Sequence, residues 1–166
     1  MRPSPFDPPD PRFVTTGEHP LWDEALAAVN RDLAATLPEQ RPLCLVAYPG
    51  WERAPDETER VHVALANGDA HGDCLWPEPS AAGALRAVAE AAQDTVMELL
   101  WQAWPVCTLH GLGMHVTEDA GRPSWWCAGG SRPGDPAHVR AAIGEMDTVH
   151  RPRRPNRKRR KDRGPR

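Results

Sequence analysis

No stretch of this chain approaches the roughly 18 consecutive apolar residues that a membrane-spanning helix needs. Residues 1–12 lack the apolar h-region of a secretory signal, and neither end shows a lipidation motif. A cytoplasmic location without membrane contact is therefore expected. Cysteine is scarce: Cys44, Cys74, Cys107 and Cys127 are too few in 166 residues to imply a disulfide scaffold. Reduced thiols or a metal site fit better. Lysine occurs only twice, at Lys158 and Lys161, beside 18 arginines. A GC-rich coding sequence explains that imbalance without any demand for guanidinium chemistry. Catalytic signatures are missing too, with no G-x-G-x-x-G, P-loop, H-E-x-x-H or G-x-S-x-G. Gly111-Leu112-Gly113 is too short to cradle a phosphate. A Cys127/His138/Asp135 set is conceivable as a nucleophile group, but nothing around it activates a thiol. No enzymatic reaction is expected, although a site assembled from distant residues would leave no such signature.

What is present is uneven. Nineteen prolines crowd the ends and linkers, and apolar residues make up 40% of the chain. The formal charge of −3 conceals a segregation. Residues 150–166 carry ten Lys/Arg against Asp162, a net +9, whereas residues 1–149 carry −12. Setting aside the Pro-rich start and the basic end leaves roughly 135 residues, enough for one hydrophobic core.

Residues 1–20, with six prolines, predict a disordered, extended arm. Leu21–Leu37 has apolar residues at helical spacing and stops at Pro38. Leu43–Tyr48 reads as a buried strand. Val61–Ala66, the Asn67–Gly68 turn and Ala70–Trp76 read as a hairpin. Ser80 is an N-cap candidate for a second helix over residues 81–103, with Leu85, Val88, Ala89, Ala92, Val96 and Leu99 on one stripe. Met114–Glu118 and Ser124–Cys127 predict a second hairpin, and Val139–Ile143 a last strand or short helix. The expected fold is α+β: two main helices packed on a small, mainly antiparallel sheet, with disordered ends. Residues 21–149 form the domain, and residues 104–146 a hairpin subdomain that a metal would support.

The metal expectation comes from Cys107-x-x-His110. Two residues between Cys and His let both reach one tetrahedral zinc from a single tight turn. A hairpin centred near Gly121 would put Cys127 opposite His115 and return it to the same end. Cys107, His110, Cys127 and either His115 or His138 are then the candidate ligands of a structural zinc. The sequence favours the plainer reading, two buried thiols beside surface histidines, because a second tight ligand pair is missing.

Partner contact has two candidates. Seven tryptophans are many for this length. Trp125 and Trp126 are adjacent in a strand and so point to opposite faces, while Trp51 lies in a polar loop. These three are candidate anchors for an unknown protein partner, the alternative being that they fill the core. A non-catalytic binding protein acting through its body is the leading expectation. The basic tail, through Arg153, Arg154, Arg157, Lys158, Arg159, Arg160 and Lys161, is a candidate for non-specific nucleic-acid contact. It has no aromatic residue to stack on bases, so sequence reading is not expected.

Three segments carry a resemblance: Trp104-Pro105-Val106-Cys107-Thr108-Leu109-His110, then Trp125-Trp126-Cys127, then His138-Val139-Arg140-Ala141-Ala142-Ile143-Gly144-Glu145. Together they resemble a group of small uncharacterised actinobacterial proteins, over about a quarter of the chain. The resemblance implies no activity.

Overall fold

The computed structural model describes residues 10–50 and 59–150. Helix α1 spans Pro20–Thr36, with proline in its first turn, where the missing N–H costs nothing. Trp22, Ala25, Val29 and Leu33 fall one turn apart and form its buried face. Helix α2 spans Ala81–Leu100; the Ser80 hydroxyl caps it by accepting the Gly83 N–H at 3.0 Å. Ala84, Val88, Ala89, Ala92 and Val96 pack inward against α1. The helix ends three residues before the expected point. Trp101 takes a left-handed conformation (φ 54°), which reverses the chain and sends Trp104 into the core. There Trp104 stacks edge-on against Trp125, with ring centroids 5.6 Å apart, and donates Nε1–H to the Thr36 hydroxyl at 2.8 Å.

The fold is mixed α+β, with two three-stranded antiparallel sheets where one was expected. The first contains β1 (Arg12–Phe13), β2 (Cys44–Tyr48) and β3 (Arg60–Ala64), in that order. The expectation of a disordered arm over residues 1–20 is corrected for its described part. Arg12 and Phe13 pair with Ala47 and Val46, and the Arg12 guanidinium bridges Glu18 and Glu59. The return strand expected at Ala70–Trp76 does not form either. The Asn67–Gly68 turn is made, with Gly68 at φ 94°, but the return is reduced to an isolated bridge of Ala70 to Ala64 and one bond from Leu75 N–H to the Val61 carbonyl at 2.7 Å. Gly72 then turns the chain at φ 87° toward α2, where the buried Thr95 hydroxyl accepts the His71 N–H and reaches the Val63 carbonyl at 2.9 Å. A side chain on α2 thus supplies bonds that a fourth strand would have made.

The second sheet contains β4 (His115–Asp119), β5 (Arg122–Cys127) and β6 (His138–Ala142), in that order. Ala120 and Gly121, both at positive φ, form the two-residue turn between β4 and β5. This turn pairs Asp119 with Arg122 and His115 with Trp126. The sheet is held to α1 by Asp32, which is fully buried. Its carboxylate accepts from Trp125 Nε1 and Gly144 N, both at 2.7 Å, and from Met146 N at 2.9 Å. No helix among the described residues is long and apolar enough to cross a membrane.

Candidate metal centre

Cys107 opens a tight turn just before β4. Its carbonyl accepts from the N–H groups of His110 (3.3 Å) and Gly111 (2.7 Å), and Gly111 adopts φ 67°. That φ favours glycine, and the turn it allows swings the His110 ring back over the Cys107 sulfur. Cys127 ends β5 and pairs directly with His138 at the start of β6, so both side chains leave the same face of the sheet. The turn and the strand pair meet at one point.

There, Cys107 Sγ lies 3.7 Å from His110 Nδ1 and 3.7 Å from His138 Nε2, and Cys127 Sγ lies 3.4 Å from His110 Nδ1. All four ligand atoms fall within 4.8 Å of one another. Around zinc, with Zn–S about 2.3 Å and Zn–N about 2.0–2.1 Å, the edges of a tetrahedron measure about 3.3–3.8 Å. These three separations, 3.4–3.7 Å, lie in that interval. Both sulfurs are fully buried, and the two histidines half-buried.

The thiols and imidazoles of the cluster shift one another's ionisation. Burial pushes the Cys107 thiol up, but the N–H groups of Leu109 and His110 and the rings of His110 and His138 outweigh it, leaving its pKa at about 6. Burial also pushes the Cys127 thiol up, the neighbouring Cys107 adds to this, and the Gly129 N–H opposes it. The Asp135 carboxylate, 2.6 Å from His110 Nε2, raises the His110 pKa, and Cys107 adds to the effect. These shifts favour the thiolate of Cys107 and the protonated ring of His110. A divalent cation bound by both sulfurs would displace those protons.

The run Cys127–His110–Asp135 also has the connectivity of a nucleophile, base and orienting acid. It differs from the Cys127/His138/Asp135 set conceivable from the sequence, because Asp135 binds His110 and not His138. The Cys127 sulfur is fully buried, which restricts its approach to a substrate carbonyl.

The structure sorts the candidate residues. Cys107, His110, Cys127 and His138 come together, and His115 does not. The expected register was one residue out: His115 pairs with Trp126, not Cys127. A one-residue slip moves a side chain to the opposite face, and His115 stands exposed beside Trp126. Trp125 is corrected as a partner anchor, since it is fully buried between Trp104 and Asp32. Trp126 is half-buried. Trp51 and the basic residues Arg153, Arg154, Arg157, Lys158, Arg159, Arg160 and Lys161 lie outside the described residues. Among the described residues, Trp101 and Trp76 are the strongly exposed indoles, at 90% and 71%. Sequence reasoning also missed the roles of Asp32 and Asp135. Only the Gly129-Gly130 pair after Cys127 hinted at a close backbone approach there.

Compared with known proteins, the chain matches no family model, no curated protein and no solved structure.

Proposed function

We propose that this is a non-catalytic binding protein whose C-terminal sheet is fastened by a structural zinc ion held by Cys107, His110, Cys127 and His138. The observation that carries the reading is the convergence of two sulfurs and two imidazole nitrogens within 4.8 Å, with three of their separations at 3.4–3.7 Å. An S2N2 tetrahedral donor set suits zinc, and four protein ligands leave no open position for a substrate. The ion would tie the turn before β4 to the β5–β6 pair, at the end of the sheet remote from Asp32. Elemental analysis of the purified protein should find one zinc per chain, lost in Cys107→Ala. Metal-free protein that folds with both thiols free and takes up no added zinc would overturn the reading.

The binding role is supported by Trp101 and Trp76, because large exposed indoles are costly unless a partner covers them. Thiolate ligands need a reducing surrounding, which supports a cytoplasmic location. A second reading, an electrostatic arm contacting nucleic acid, is supported by the +9 charge of residues 150–166. Gel shifts at low and moderate salt test it. Binding should weaken steeply with salt and vanish on deletion of Arg151–Arg166, and binding that survives the deletion excludes the arm.

A further inference from the structure

Every candidate ligand has a partner behind it, and the loop between β5 and β6 supplies three of these partners. The Gly129 N–H donates to Cys127 Sγ at 3.4 Å. Asp135 Oδ1 lies 2.6 Å from His110 Nε2, and the Pro136 carbonyl lies 3.3 Å from His138 Nδ1. Each imidazole thus turns one nitrogen to the sulfurs and the other to an oxygen. An oxygen can only accept, so both outer nitrogens carry a proton, and in the neutral rings the lone pairs fall on His110 Nδ1 and His138 Nε2.

The loop is shaped to keep these oxygens in place. A Cβ on Gly129 would meet the Pro136 carbonyl carbon at 2.5 Å, and one on Gly130 would overlap the Asp135 carboxylate. The Gly130 N–H also donates to the Asp135 carbonyl at 3.1 Å, closing the loop on itself. Two consecutive glycines let the backbone after Cys127 pass beneath the segment bearing Asp135.

We propose that the β5–β6 loop is an outer clasp of the metal centre and that Asp135 is its positioning residue, fixing the His110 tautomer and ring angle so that Nδ1 faces the cation. The proposal rests on the zinc reading above. Gly130 acts only through Asp135, by leaving room for its carboxylate. A carboxylate behind a ligating imidazole raises its basicity, and its loss lowers metal affinity about 10–100-fold.

The test measures zinc affinity of the full chain by chelator competition, alongside the absorption spectrum of the cobalt-loaded protein. Asp135→Ala should weaken zinc about 10–100-fold and shift the cobalt bands, with helix content of the metal-free protein unchanged. Asp135→Asn keeps a carbonyl acceptor and should lose less. Gly130→Ala should reproduce Asp135→Ala, and the double variant should be no weaker than either single one. Three outcomes overturn the proposal while sparing the zinc reading. These are wild-type affinity in both single variants, losses that multiply in the double variant, or a loss matched by falling helix content in metal-free Asp135→Ala. A wild-type chain that binds neither zinc nor cobalt overturns both.

Discussion

Asp32→Ala is the sharpest test of how the second sheet is attached to the helices. The carboxylate is fully buried and accepts three N–H donors, from Trp125, Gly144 and Met146, at 2.7–2.9 Å. Alanine leaves all three donors facing a small cavity. An unsatisfied buried donor costs about 1–3 kcal/mol, so three would cost about 3–9 kcal/mol if none found water. Burial pushes the Asp32 carboxyl up, against the pull of its three donors. The ionised group thus carries a desolvation cost that the alanine variant escapes, which places the loss near the lower end, about 3 kcal/mol. With a urea slope of about 1–3 kcal/mol/M, the midpoint should fall by about 1–3 M. Urea titration followed by tryptophan fluorescence reads this directly, since Trp125 is one of the three donors. Exposed Glu90→Ala is the control and should move stability by no more than about 0.5 kcal/mol. A loss below about 1 kcal/mol for Asp32→Ala would refute the assignment of Asp32 as the attachment point.

The same residue sets a pH dependence. Burial holds its folded pKa above the ordinary carboxyl value of 3.8, so between the two the folded state holds a proton that the unfolded state releases. Stability from this group therefore falls as pH rises above its ordinary value, and the margin of wild type over Asp32→Asn should shrink with it; a widening margin contradicts the sign. His138→Ala should lose stoichiometric zinc while His115→Ala keeps it, by elemental analysis after dialysis against a weak chelator. Equal loss in both would refute the observed register. Trp104→Phe removes the Nε1–H bond to Thr36 and part of a buried ring and should cost about 1–2 kcal/mol by urea titration. Trp101→Phe, at an exposed ring, should cost almost nothing; reversal of that order would refute the packing described.

Local pattern alone determined much of this protein. The apolar spacing of Trp22, Ala25, Val29 and Leu33 specified α1, and Ser80 with the stripe through Val96 specified α2, because helical periodicity and capping are properties of neighbouring residues. The Cys107-x-x-His110 turn was legible for the same reason, and so was the α+β class. What needed the tertiary structure was everything set by register or by contact between distant segments. A turn at Ala120–Gly121 in place of one centred on Gly121 moved His115 away from Cys127. The adjacent strand β6 placed His138 opposite Cys127 as the fourth member of the Cys/His cluster. Trp125 and Trp126 are equivalent in sequence, and only the choice of sheet face buried one and left the other half-exposed. Asp32 lies 93 residues before Trp125, and Asp135 lies 25 after His110. No local rule pairs them: the buried Asp32 must find its donors within the protein, and Asp135 reaches His110 only because the β5–β6 loop folds back on the turn before β4.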